Sequence, residues 1–397
     1  MRSRSLFAIA VAFVLAGPAI ACPFCSATGE TLAGEVAQAD FIVYGTLGNA
    51  QRDPSEFNKG TTDLKIELVI KDNEYLKGRK SVTIPKFLQA SKKDAKQLVF
   101  FKVYDGKLDA YRGDEVGGDS KLPEYLKGAI AVRSKDVQTR LRYCFDYLES
   151  SDLVISSDAY TEFAMADYKE LGDFAKTLAK DSSKSKQVLA WLKDPNARAT
   201  RFGLYGLILG HCGKADDAKA LRALLDDSTR SYSSGLDGVV AGYVLLDPKA
   251  GWEYLLTIVG DAKKDFSVRY AGLRTVRFFW ENRPDVIPGK QVLAAMQALM
   301  TQPDLADLPI EDLRKWKQWD QAPTVLKYGA AESHASIPIV YRAILKFALS
   351  AAQADPKNAA AAEFVAKARA KDAKKVEFLE SLLKDEQKPI PAPAKSK

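Results

Sequence analysis

The chain has 397 residues, 47% of them hydrophobic and 27% charged, with 58 Lys and Arg against 51 Asp and Glu. That length holds two or three globular domains, and the composition excludes collagen-like or wholly disordered chains. The basic residues are interleaved with acids rather than gathered in a stripe, which argues against nucleic acid as a main partner.

The first 21 residues read as an export signal. Arg2 and Arg4 precede an apolar run over residues 6–16, and Ala19-Ile20-Ala21 is a small-x-small cleavage site that would make Cys22 the first mature residue. The run is too short to span a bilayer, and no later stretch reaches the roughly 18 apolar residues that a spanning helix needs. Removing residues 1–21 takes away two basic residues and no acid, leaving 56 against 51. A cysteine after the cleavage site is also where bacterial lipoproteins are acylated, so a lipid anchor at Cys22 stands beside the soluble periplasmic or secreted reading.

Cys22-Pro-Phe-Cys25 opens the mature chain, and Cys144 and Cys212 complete the set of four cysteines. In an exported protein, cysteines point to disulfides before cytosolic zinc chemistry. Four cysteines allow three full pairings, and spacing does not choose among them. Residues 30–39 have the apolar spacing of a short helix, with Thr28 as a possible cap. Strands are expected at 41–47, at 64–70 with Leu64, Ile66, Leu68 and Ile70 on one face, and at 81–85. Residues 97–104 and 107–111 flank Asp105-Gly106, the strongest short-range hairpin signal. Five strands and a helix over residues 22–133 predict a small antiparallel OB-like barrel or curled sheet.

From residue 134 the pattern turns helical, and all five tryptophans lie there. Leu221, Leu224, Leu225 and Asp227 map onto Leu255, Ile258, Val259 and Asp261 at an offset of 34, and twice that offset carries Arg201 to Arg269. Such a recurring helix pair is the signature of an α-solenoid. Val268-Arg-Tyr-Ala271 resembles the V-R-x-A core of HEAT-type repeats. The expected architecture is therefore multi-domain α+β: an OB-like β-domain (22–133), a HEAT-like helical repeat domain (134–384) and a disordered Pro/Lys-rich tail (385–397). Within the helical part, the Ala- and Lys-rich residues 358–375 read as a polar cap or a fraying end.

Two resemblances follow. CPFC, FIVYGTL, YLKG, VYDGKLDAYRG, RFGLYGLILGHCG and LPIEDLRKWKQW together resemble a group of uncharacterised exported proteins of planctomycete bacteria, over nearly the whole mature chain. The N-terminal cysteine pair, helix and FIVYGTL strand are similar to the netrin-like OB domain of tissue metalloproteinase inhibitors. That second likeness implies an inhibitor acting through the amine and carbonyl of Cys22, although those inhibitors carry C-x-C where this chain has C-x-x-C.

The residues offer few sites for chemistry. Cys22 and Cys25 match the C-P-[FY]-C of glutaredoxin-like redox sites, so a structural bridge, within the pair or to Cys144, stands against a thiol redox role. Cys22, Cys25, His211 and Cys212 form a conceivable soft metal set. The opposing reading is a packed cysteine with a histidine at a helix end, because adjacent residues diverge on a helix. His334, with no nucleophile in a recognisable setting, reads as a loop histidine before a helix. Trp319, Arg314 and Lys317 form the exposed-aromatic and basic combination that suits a partner surface. No P-loop, G-x-G-x-x-G, H-E-x-x-H or EF-hand pattern occurs, and no cofactor is implied. The sequence reading is an exported binding or scaffold protein with an extracytoplasmic protein partner and no catalysis of its own. A thiol redox or metal-binding protein and a netrin-like inhibitor are the alternatives.

Overall fold

The computed structural model describes residues 22–25, 30–54, 59–89, 91, 95–227, 234–386 and 388. The signal segment, Thr28 and nearly all of the proline-rich tail lie outside the described residues. These divide into two compact units that meet in sequence at Cys212 and Gly213. None of the described helices is long and apolar enough to cross a membrane.

The first unit begins with helix α1 (Leu32–Gln38) and five strands: β1 (Phe41–Arg52), β2 (Gly60–Lys71), β3 (Ser81–Ile84), β4 (Lys96–Tyr104) and β5 (Lys107–Val116). They form one antiparallel sheet in the order β3-β2-β1-β4-β5. The β4–β5 hairpin turns on Asp105 and Gly106, whose φ values of 49° and 76° are those an Asp-Gly turn supplies. Gly45 in β1 could not be another residue, since a Cβ there would lie 1.9 Å from the Lys65 carbonyl oxygen. At the open edges, Lys86 just past β3 donates to the Ala110 carbonyl (2.8 Å) and pairs with Asp109 (3.2 Å), drawing the β3 side toward β5.

Alternation along the central strand builds two cores. Ile42, Leu98 and Phe100 face one side with Ile70 and Val116. Phe41, Val43, Val99 and Phe101 face the other with Val82 and Ile84. The sequence pattern put Leu64, Ile66, Leu68 and Ile70 on one face, but β2 changes face midway. Leu64 and Ile66 pack in the second core, whereas Leu68 and Ile70 pack in the first. The cause is a bulge: Tyr44 and Gly45 are adjacent, yet they pair with Leu68 and Ile66, leaving Glu67 as the extra residue.

Helices α2 (Leu122–Arg133), α3 (Val137–Phe145), α4 (Leu153–Met165), α5 (Tyr168–Leu178), α6 (Ser182–Lys193) and α7 (Phe202–Cys212) complete the first unit. The sheet core takes in Leu122, Tyr125 and Leu126 of α2 and Ile155 of α4. The sheet core thus draws on helices beyond residue 133, and the compact unit that holds it runs to Cys212.

The second unit is helical throughout its described residues: α8 (Ala215–Asp226), α9 (Leu236–Leu246), α10 (Pro248–Val259), α11 (Phe266–Asn282), α12 (Gly289–Met300), α13 (Asp307–Lys315), α14 (Ala322–Leu326), α15 (Glu332–Ala335), α16 (Pro338–Ala354), α17 (Ala359–Lys371) and α18 (Ala373–Glu386). Leu221 of α8 and Leu255 of α10, matched by the sequence offset, are both fully buried. Arg269 at the start of α11 is also buried, donating to the Lys264 carbonyl, Gln302 and Asp304.

In the first unit, α1 is held at both ends by distant side chains. Its N-terminus is capped by Thr31 (2.8 Å to the Gly34 amide) and by Asp158 of α4, which accepts from the Leu32 amide. At its C-terminus, the Lys71 ammonium donates to the carbonyls of Val36 and Ala37 at 3.0 Å and to that of Ala39. Replacing Lys71 by Met keeps the aliphatic stem and removes the cap, so Lys71→Met is expected to cost about 1–2 kcal/mol in urea unfolding. An unchanged midpoint would show that the cap contributes nothing.

Candidate functional site

Cys22 and Cys25 form a disulfide, with Cα atoms 5.4 Å apart. Cys22 and Phe24 are buried, 5% and 4% exposed. Cys144 is not bridged to either; it is a buried thiol on α3. Cys212, at the end of α7, is also a buried thiol.

Around Cys144 the first unit encloses a polar cluster that the sequence reading missed. Tyr125, fully buried on α2, donates to Asp158 at 2.9 Å. Glu162, one turn further along α4, accepts from Thr31 at 2.7 Å and from Arg133 at 3.0 Å, and Arg140 lies 3.8 Å away. Burial raises the Asp158 carboxyl above the usual carboxylate range, against the hydrogen bonds from Tyr125 and Leu32 that lower it. Burial, with Glu162 and Asp158 nearby, pushes the Cys144 thiol up to about 12. A thiol held in its neutral form is neither a nucleophile nor a ready metal ligand. The spacing of Asp158 and Glu162 at i, i+4 inside an apolar helix was the legible signal.

The histidines have structural partners. His211, half-buried, meets the Tyr168 hydroxyl at 3.1 Å. His334 is buried in the short helix α15, where its Nε2 lies 2.9 Å from the Met300 carbonyl oxygen. A carbonyl only accepts, so Nε2 carries the proton, and in the neutral ring Nδ1 accepts from the Ser333 hydroxyl at 2.9 Å. The loop position expected for His334 is thus a buried helical one. Among the described residues no three His, Cys, Asp or Glu side chains are placed to hold a metal ion, so Cys22, Cys25, His211 and Cys212 do not gather at one point.

The proposed partner-binding trio divides. Arg314 bonds Glu311 and Glu386, both at 2.8 Å, with 11% of its side chain exposed. Lys317 is exposed at φ 56° and closes α13 as a left-handed cap: its amide donates to Arg314, and the Gln318 amide donates to Leu313. Trp319 is half-buried, with its ring edge-on to Phe347 at 5.5 Å. Trp316 stacks on Trp280 at 4.6 Å.

A concave site lies elsewhere in the second unit. A cavity of about 500 Å³ opens among α14, α16, α17 and α18. Leu326, Leu345, Phe364, Ala368 and Val376 supply its apolar lining, while Lys367, Lys371 and Lys375 stand around it with the single carboxylate Asp372. Phe364 comes so near the backbone of Gly329 that a Cβ there would sit 2.4 Å from its ring. The Lys375 ammonium lies 4.9 Å from the centre of the Tyr341 ring. Asp372 accepts from the Lys375 amide at 3.0 Å, capping α18. Lys367 and Lys371 are a like-charged i, i+4 pair on α17, an arrangement that costs a helix about 0.2–0.5 kcal/mol. The sequence reading took this stretch for a polar cap or a fraying end. Phe364 and Ala368, interleaved with the lysines at helical spacing, were the signal against that reading.

No family model, no curated protein and no solved structure matches the chain.

Two measurements check the polar and sulfur chemistry. Unfolded without reductant, the protein should show two reactive thiols, and with reductant four; in the native state Cys144 should resist alkylation at pH 8. The second concerns pH. Because native Asp158 keeps its proton to higher pH than the unfolded chain does, it contributes stability at low pH that is lost as pH rises from about 4 through its raised pKa. Asp158→Asn removes that component. The stability of the wild type relative to Asp158→Asn should fall across that window in urea unfolding, and a constant difference would refute the assignment.

Proposed function

We propose that the protein is an exported binding protein, a curled OB-like β-sheet unit followed by a HEAT-like helical stack, with its ligand site in the second unit. Export is supported by the signal pattern of residues 1–21 and by the Cys22–Cys25 disulfide, which suits an oxidising compartment. The strand order, with the β3 side drawn toward β5, supports the OB-like reading. In the second unit α9 packs on α8, α10 and α11, α11 on α12, and α12 on α13, the neighbour-on-neighbour pattern of a repeat stack. The helices α8, α10 and α12 begin at Ala215, Pro248 and Gly289, so the repeat is uneven.

The observation that carries the binding role is the 500 Å³ cavity. Its size and apolar lining with a few convergent polar groups are those of a small-molecule site. Its polar side chains are three lysines, Tyr341 and one capping aspartate rather than a recognisable acid, base and nucleophile set, which supports binding over catalysis.

A ligand at a hundred times its dissociation constant stabilises a folded protein by about 2.7 kcal/mol, which for a unit of this size is a Tm rise of roughly 5–10 °C. Thermal unfolding of the mature protein against a panel of small metabolites should therefore reveal a ligand. Ala330 is exposed at the cavity wall, so Ala330→Trp should fill the space, leave the unliganded Tm nearly unchanged and abolish the shift. A panel with no hit, or a hit that Ala330→Trp does not disturb, would sink this reading.

A further inference from the structure

The cavity's charges narrow its ligand class, an inference that rests on the binding role proposed above. We infer that the site takes an amphipathic monoanion: an apolar body the length of a medium acyl chain or a small aromatic ring system, ending in a carboxylate or similar anionic head.

The apolar body has its partners in Leu326, Leu345, Phe364, Ala368 and Val376, which come from four helices and leave a space that is not filled by the chain's own side chains. The anionic head has its partners in the lysines. Lys371 closes α17 and makes no ion pair with the described residues, and Lys375 stands in the first turn of α18, on the other side of the bend at Asp372. Lys367 has an exposed i, i+4 partner in Glu363 at 2.6 Å, a type of pair worth little in water. Asp372 is turned to the α18 amides, so its charge is held by the cap.

An anion between Lys371 and Lys375 would relieve the crowding of like charge at the end of α17. It would also sit beside the carbonyl end of α17, which repels it, so lysine charge must dominate. A neutral ligand would gain nothing from the lysine charges, and a cation would be repelled. Tyr341, already under the Lys375 ammonium, offers a ring face that keeps that head at the rim rather than in the apolar floor.

The test is calorimetric titration of the full mature chain with decanoate and with 1-decanol, which share a tail and differ in the charged head. Decanoate should bind at least tenfold more tightly than 1-decanol, and raising the salt concentration should weaken decanoate binding alone. The double variant Lys371→Glu with Lys375→Glu should lower decanoate affinity at least tenfold and leave 1-decanol unchanged. Both positions are exposed, so the far-ultraviolet circular dichroism of the variant should match the wild type. Equal affinities for the two probes would overturn the anion preference while leaving a binding cavity. Failure of both probes to bind wild type, together with a metabolite panel that gives no hit, would overturn the binding role itself.

Discussion

The first unit depends on a carboxylate that reaches across the sequence. Helix α1 has seven residues, far below the length at which an isolated helix is stable in water. Asp158 meets its first amide, and Lys71 gathers its last carbonyls. One of these side chains stands on a strand and the other on a helix, 126 positions after Leu32, so α1 is a helix only where sheet and helices are already together. Asp158 holds its position at the expense of hydration, and Tyr125 and the Leu32 amide offset part of that cost. The β-sheet is thus not a module to which helices were added. Its outer core includes Tyr125, Leu126 and Ile155, and the clamp on α1 crosses the same boundary.

That crossing explains which parts of the fold were legible beforehand. Strands and turns are local: alternation marked the five strands, and Asp105-Gly106 marked the hairpin, because backbone stereochemistry at two residues decides it. The compact boundary was not local. Composition changes at residue 134, where strand chemistry gives way to helix chemistry, but a core does not divide where composition does. Likewise, the alternation over Leu64 to Ile70 was real and its single face was not. One extra residue at Glu67 turns the strand over, and a bulge is a property of the pairing, not of one strand read alone.

The cysteines show the same division between what is local and what is not. Three residues of separation made the Cys22–Cys25 bridge one legible option among three pairings. The i, i+4 spacing of Asp158 and Glu162 marked a carboxylate pair on one helix face, but nothing tied that pair, or Tyr125, to Cys144. Their effect is chemical as well as structural: a negative charge on the Cys144 sulfur is opposed by burial and by Glu162 and Asp158. Thiol reactivity is therefore suppressed at Cys144.

The cavity was hidden by the same kind of non-locality. Residues 359–386 are rich in Ala, Lys and Glu, a composition that reads as solvated helix surface, and most of α17 is indeed exposed. Two features convert that surface into one wall of a site. Phe364 turns inward onto the backbone at Gly329, where only a glycine permits the approach. Asp372 then breaks the helix and caps the next one, so that Lys371 and Lys375, which a continuous helix would simply stack, stand on two elements around an apolar floor. Charge placed over apolar surface is costly to a protein unless the charge snorkels into water or meets a counter-charge. Lys375 partly resolves this against the Tyr341 ring. Lys371 is exposed and makes no ion pair with the described residues, so its charge is left to water above the apolar floor and stays open to a counter-charge from outside the chain.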